Sequence, residues 1–323
     1  MEAALRLDCD AEIARIGEAL REGVLTRLRR RGVIVAMSGG VDSSVCAALA
    51  VKAFGPEKVF GLLLPEHESA GKSAELGQVV AEQLGISFVT EAIGAALDGL
   101  GCYERRDEAI RKVFPDYTPQ WKSKIIIAGG AQAGMTYFKL VVQSPDGQLQ
   151  EKRLPAKEYL QIVAATNFKQ RMRKAMEYYH ADRLNYAVIG TPNRLEYDQG
   201  FFVKGGDGLA DFKPIAHLYK TQVYQLAEHL GLPEAVCKAR PTTDTYSLAQ
   251  GQDEFYFGLP YEKMDVALWM HNHGRTAADL AQELDMPEAA AARVLGDIES
   301  KRRATAYLHS RPVLVEAVKE IEQ

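Results

Sequence analysis

The sequence predicts an α/β domain built on a doubly wound, mostly parallel sheet. Short apolar runs recur at Val33 to Met37, Lys58 to Leu64, Ile86 to Thr90 and Tyr186 to Gly190. Strands buried on both faces read this way, whereas half-solvated strands alternate. Helical periodicities separate the first three runs, the pattern of βαβ units. Two runs end in glycine, at Ser38-Gly39-Gly40 and at Gly190, where a strand gives way to a turn.

Each element has its own justification. Residues 10–31 place Ile13, Ile16, Leu20, Val24 and Leu28 at spacings of three and four, so a helix is expected. The run Arg27, Arg29, Arg30 and Arg31 then reads as a solvated helix end whose cations offset the dipole. Val41 to Phe54 is an alanine-rich helix, and Pro65 stops the strand before it. Residues 72–84 are helical again. From Phe114 to Pro155 the rhythm breaks. Ile125-Ile126-Ile127, Met135 to Gln143 and Gln148 to Leu154 read as strands, with a turn at Ser144-Pro145-Asp146-Gly147. This is a small antiparallel insertion. Residues 156–180 are helical, Gln199 to Asp211 is a loop, and Thr221 to Leu230 is a helix closed by Gly231 and Pro233. The remainder is mainly helical. The expectation is one domain spanning residues 1–323, with a β-rich insertion at about 114–155 and a helical C-terminal region.

The balance of 39 Lys+Arg against 43 Asp+Glu gives a net charge of -4, which counts against a general nucleic-acid binder. No apolar run approaches the roughly 20 residues of a membrane span. Met1 to Asp10 lacks the basic and apolar regions of a secretory signal, so a cytoplasmic protein is expected. Four cysteines, Cys9, Cys46, Cys102 and Cys237, are scattered without a CxxC pair, which argues against a disulfide framework or zinc ribbon.

Chemistry concentrates at Ser38-Gly39-Gly40-Val41-Asp42-Ser43-Ser44, between a strand and a helix. Successive backbone N–H groups at a helix N-terminus bind phosphate. Gly39 and Gly40 leave room for oxygens to approach, and Ser38, Ser43 and Ser44 supply hydroxyls. Asp42 would repel phosphate unless a cation sits between them, which makes it a candidate Mg²⁺ ligand. The bland alternative is a capping turn.

This heptapeptide resembles the pyrophosphate loop of the N-type ATP pyrophosphatases, the PP-loop superfamily with an adenine nucleotide alpha-hydrolase-like fold. Later blocks resemble NAD synthetases in particular. Asn167-Phe168-Lys169-Gln170-Arg171-Met172-Arg173 is similar to their N-x-K-x-R-x-R helix start. Gly190-Thr191 with Glu196 resembles GTxxxxE, and Gly200 to Gly208 followed by Asp211 and Pro214 resembles GFFTKYGDG and its sequel. Leu218-Tyr219-Lys220-Thr221-Gln222-Val223 and Pro241-Thr242-Thr243-Asp244 match further blocks, and Asp253-Glu254, Gly258, Tyr261 and Asp265 fall in a later one.

The resemblance implies an ATP-dependent amide ligase of the ammonia-dependent NAD synthetase type. It would convert deamido-NAD, ATP and ammonia to NAD, AMP and pyrophosphate through an acyl-adenylate. The alternative is a ligase of the same fold that adenylates a different carboxylate, fed by a separate glutaminase. ATP is the implied co-substrate, Mg²⁺ the implied metal and a homodimer the implied assembly, with no nucleic-acid or membrane partner. Asp42 and Glu196 resemble the metal ligands. Ser38, Gly39, Gly40, Asp42, Ser43, Ser44, Leu64, Thr191, Lys220 and Thr242 resemble the ATP and phosphate contacts. Asn167, Arg171, Lys204 and Asp207 resemble the acceptor contacts. Lys204, Lys220 and Asp42 resemble the catalytic set. Arg173 adds charge suited to a dinucleotide, or belongs to a solvated helix face.

The sequence departs from the pattern at Lys174, Pro192, Gly205, Leu209 and in Glu66-His67-Glu68-Ser69, mostly on the acceptor side. The insertion has no counterpart in short family members. It would cover the site, mediate oligomerisation or accommodate another carboxylate.

Overall fold

The computed structural model describes residues 4–69, 71–128, 137–241, 246–251, 256–318 and 320. Its strands are β1 (Val33–Ala36), β2 (Val59–Leu63), β3 (Ser87–Thr90), β4 (Lys122–Ala128), β5 (Tyr137–Gln143), β6 (Leu149–Arg153) and β7 (Ala187–Val188). Its helices are α1 (Cys9–Arg21), α2 (Val41–Phe54), α3 (Gly71–Leu84), α4 (Gly94–Gly99), α5 (Cys102–Arg111) and α6 (Ala156–Leu184). They continue with α7 (Arg194–Gln199), α8 (Lys220–His229), α9 (Glu234–Cys237), α10 (Tyr261–Asn272), α11 (Ala277–Leu284) and α12 (Glu288–His309).

The larger sheet is parallel in the order β3-β2-β1-β7. From β1 the chain moves outward through β2 and β3, then returns to lay β7 on the other side of β1. Val33 pairs with Val59 on one side and with Ala187 on the other. This reversal creates a topological switch point at the carboxyl ends of β1 and β7, where open α/β sheets bind ligands. The strands are apolar because both faces are covered: Val33, Ile34 and Val35 are fully buried. Each such side chain contributes roughly 1.5–3 kcal/mol of hydrophobic stabilisation. α2 is buried along most of its length, with Ala47, Ala48 and Ala50 admitting close neighbours and Cys46 as a small core residue.

The expected inserted sheet is present, antiparallel in the order β4-β5-β6 with Ile125 opposite Leu140. Gly147, at φ +88, closes the turn between β5 and β6. Ile125, Leu140 and Val142 pack on Ile110, Phe114 and Ile162 of the flanking segments. Met135, where the β5 run was expected to begin, lies outside the described residues. A separate apolar core joins α7, α10, α11 and α12 through Leu195, Met264, Leu268, Leu280 and Ile298.

Several boundaries differ from the sequence expectation, most of them by a few residues. The first helix passes into a π-helical turn at Glu22–Arg27 and stops there. Arg27 does close the helical segment, but Arg29 is left-handed at φ 53, so Arg29, Arg30 and Arg31 form the connector into β1. Arg30 reaches Asn185 across that connector, Nη1 to Oδ1 at 2.6 Å. β7 is shorter than Tyr186 to Gly190: Ala187 and Val188 pair with β1, and Ile189, whose N–H still donates to Ile34 O at 3.0 Å, bridges Phe212 on its other side. Among the described residues, no helix is long and apolar enough to cross a membrane.

Candidate active site

The phosphate loop sits at the carboxyl end of β1 and opens α2. No side chain caps this helix, which leaves its first N–H groups directed at the switch point. The loop is fixed from within. Ser43 Oγ accepts from Ser38 N at 3.3 Å and donates to Gly40 O at 3.1 Å, while Ser44 Oγ donates to Gly40 O at 2.8 Å. The two glycines differ in purpose. Gly39 is left-handed at φ +76, and a Cβ there would lie 2.3 Å from Ser73 O of α3. Its missing side chain therefore serves packing against α3. At Gly40 the nearest atom to an added Cβ is Ser38 Oγ at 3.3 Å, so Gly40 is the one that keeps the loop open.

Glu196 comes from α7, on the far side of the reversal. Asn193 joins it to Asp42. This asparagine is 1% exposed; its Nδ2 donates to Asp42 Oδ1 at 3.1 Å and its Oδ1 accepts from Glu196 N at 3.3 Å. In return Glu196 Oε2 accepts from Asn193 N at 3.3 Å, a capping box that starts α7. Lys220, the first residue of α8, is buried, and its Nζ pairs with Asp42 Oδ2. Burial alone would lower this ammonium; Asp42 and then Glu196 outweigh it and raise it. Asp42, Glu196, Lys220 and the serine loop thus converge, with Thr191 half-buried on the turn between β7 and α7.

The start of α8, where Lys220 sits, is supported from α10. Asp265 of α10 is 0% exposed, and its oxygens accept from Lys220 N at 3.2 Å and Thr221 N at 2.7 Å. Burial pushes its carboxyl up to about 7, against the pull of those N–H groups and of Lys220.

The donor set suits Mg²⁺. Among the described residues, no group of three or more His, Cys, Asp or Glu gathers to hold a metal. The protein offers the pair Asp42 and Glu196, and Mg²⁺ characteristically takes one or two carboxylates and completes its shell with phosphate oxygens and water.

A second group of expected residues lies along α6 and the loop after α7. Arg171 Nε donates to Lys204 O at 3.3 Å, and Val203 N donates to Asp207 Oδ1 at 2.7 Å. Burial raises the Asp207 carboxyl. Lys204 does not join Asp42 and Lys220: its Nζ donates to Tyr307 O at 2.7 Å and Ser310 O at 3.2 Å, at the end of α12. Asn167 is half-buried on α6. Lys174, a departure from the resembled pattern, is buried and paired with Glu177 at 2.7 Å. Thr242 lies outside the described residues, with Thr243, Asp244, Asp253 and Glu254.

Leu64 follows β2 and is buried, and its carbonyl accepts from Arg173 Nε at 3.4 Å. The unfamiliar residues after it form a buried ion network. Lys169, 1% exposed, pairs with Glu66 at 3.3 Å and Glu68 at 2.6 Å. Arg106 pairs with Glu68 at 2.5 Å and Asp107 at 2.8 Å, and Tyr103 Oη donates to Glu66 at 2.5 Å. Lys169 is therefore committed to the fold of this turn. A cleft of about 510 Å³ lies elsewhere, on the face of α7 away from Glu196, among Arg194, Tyr197, Asp198, His217, Arg302 and His309. Both of its arginines, Arg194 and Arg302, pair with Asp198, and among the described residues it has no counterpart of the glycine-serine loop at the switch point.

Comparison with known proteins bears on this arrangement. A family model described as NAD synthase matches residues 12–109 and 130–306. A Rhizobium meliloti protein named NH(3)-dependent NAD(+) synthetase is 55% identical over 319 residues, covering 98% of this chain and 95% of the relative. One of the same name from Mesorhizobium japonicum is 56% identical over 311 residues, covering 96% of this chain and 98% of the relative. Among solved structures, an NMN synthetase from Francisella tularensis superposes with TM-score 0.65 at 21% identity, covering 96% of this chain and 99% of that one. An NH3-dependent NAD synthetase from Campylobacter jejuni gives 0.62 at 21%, covering 96% and 100%. These two structures establish the likeness of fold.

Proposed function

The chain belongs to the NAD synthase family, and from that membership we infer that it is an ammonia-dependent NAD synthetase, an amide-forming ligase that uses ATP. The observation that carries this reading is the near full-length similarity to the rhizobial enzymes of that name. Their identity is far above that of the structural neighbours, which speaks for deamido-NAD over another carboxylate. In the reaction, the carboxylate of deamido-NAD attacks the α-phosphate of ATP and pyrophosphate leaves. Ammonia then attacks the acyl-adenylate carbonyl and AMP leaves.

The residues divide the work by charge and position. The α2 N-terminus with Ser38, Gly40, Ser43 and Ser44 binds the departing phosphates, and Lys220 supplies a fixed cation beside them. Asp42 and Glu196 would hold Mg²⁺, which supplies charge neutralisation at the triphosphate. Thr191 and Thr242 are assigned to phosphate oxygens and Leu64 to the adenine face. Asn167, Arg171, Lys204 and Asp207 are assigned to the acceptor. Lys204, an exposed lysine bonded at the end of α12, must leave those carbonyls to serve there.

Free ammonia is the proposed nitrogen donor and the cytoplasm the proposed compartment. A homodimer is supported by one face of α6, where Leu160, Ala164, Arg171, Ala175 and Tyr179 are exposed at helical spacing. The deciding experiment incubates purified protein with ATP, Mg²⁺ and ammonium chloride, with and without deamido-NAD. NAD, AMP and pyrophosphate should appear together and only with deamido-NAD. Folded protein that makes no NAD refutes the reading.

A further inference from the structure

The N-terminus of α8 is held by a residue from another layer of the molecule. Gln222 Oε1 accepts from Tyr219 N at 3.0 Å, but the N–H groups of Lys220 and Thr221 go to Asp265 on α10. Asp265 occupies an apolar neighbourhood, between the buried residues Met264, Ala267 and Leu268 of its own helix. Burying a carboxylate there is costly. A hydrophobic side chain would pack that layer at lower cost, so the carboxylate is explained by what it bonds. The two N–H groups and the positive end of the α8 dipole offset its desolvation.

The consequence falls on Lys220. A lysine has a long flexible stem, and where its ammonium arrives depends on where its backbone starts. At one end the Lys220 backbone is bonded to Asp265; at the other its Nζ is bonded to Asp42 of the phosphate loop. We propose that Asp265 is a positioning residue for ATP cleavage: it fixes the start of α8 so that Lys220 delivers its ammonium to the phosphate loop. This role couples the C-terminal helical layer to the switch point of the sheet. It rests on the reading of Lys220 as a phosphate-contacting lysine.

The test compares wild type with Asp265→Ala, which removes both acceptors, and Asp265→Asn, which keeps one. Two readouts are taken. In turnover assays, kcat for pyrophosphate release falls at least tenfold in the alanine variant, the KM for ammonium is unchanged, and the asparagine variant recovers at least threefold of the loss. In the nucleotide-free protein, the rate of lysine acetylation is followed by mass spectrometry. Lys220 labels at least fivefold faster in both variants, while the buried Lys169 and Lys174 label at the wild-type rate. General loosening would expose all three lysines together and overturns the proposal. So does unchanged labelling of Lys220, or a kcat within twofold of wild type. If the alanine variant does not fold, the asparagine variant decides by the same labelling ratio. A wild type without turnover refutes the proposed reaction, and the labelling still decides the role of Asp265.

Discussion

Asn193 shows how one buried side chain sets the geometry of its neighbours. By bonding Asp42 and starting α7, it fixes the relation between two carboxylates from different helices. Asp42→Asn or Glu196→Gln is expected to reduce Mg²⁺-dependent pyrophosphate release by roughly a hundredfold or more, the scale of losing charge stabilisation at a transition state. Circular dichroism should stay native; wild-type release in either variant removes the metal assignment. Asp42 and Glu196 were legible because each sits in a compact motif. Asn193 was not singled out, because its partners lie on both sides of the sheet reversal.

Glu68 gives a pH prediction. Burial raises this carboxyl, but Arg106 and Lys169 outweigh it, so the net shift is down from 4.5. A lowered acid contributes stability that is present above its ordinary value and is lost as pH falls through the folded value. Glu68→Gln should therefore destabilise at pH 7, by about 3–5 kcal/mol for a broken buried pair. The gap to wild type should narrow as pH falls below 4.5 in denaturant titrations. A gap that persists at low pH would mean the residue acts by packing.

Among the elements, α5 is one that apolar periodicity could not find. Its sequence, CYERRDEAIR, is mostly polar, and its buried face includes Arg106 and Asp107. A helix whose inward face is an ion network carries no hydrophobic stripe to read. β1, β2 and α2 were legible for the opposite reason, since continuous burial demands continuous apolarity. The inserted strands were legible from their turn, but their use was not. β4 lends an edge to the segment 246–251: Leu248 N donates to Ser123 O at 3.1 Å and Ser123 N to Ser247 Oγ at 2.9 Å, while the buried Gln250 Nε2 donates to Ile125 O. Ser247→Ala combined with Gln250→Leu should speed hydrogen exchange in residues 246–251 at least tenfold, with little change in β1 or β2. Unaltered exchange would show that Tyr246, buried in the core under β4, is sufficient by itself.

For the whole molecule, the exposed face of α6 makes assembly measurable. Wild type should scatter light as a dimer, and Ala175→Glu with Tyr179→Glu should shift it to monomer and weaken deamido-NAD turnover. A monomeric wild type under assay conditions would separate the acceptor site from any subunit interface. The support of Lys220 was hidden from sequence reading on this larger scale. Asp265 stands 45 residues beyond the lysine it bonds and 223 beyond Asp42, whereas a local pattern registers only near neighbours.

That separation carries a consequence for biosynthesis. The phosphate loop leaves the ribosome first, Glu196 and Lys220 follow, and Asp265 emerges 45 residues after the lysine. A nascent chain can thus complete its central strands and still lack the anchor for its active lysine. Competence for ATP chemistry should arrive as a single event that follows, and does not accompany, completion of the sheet that frames it.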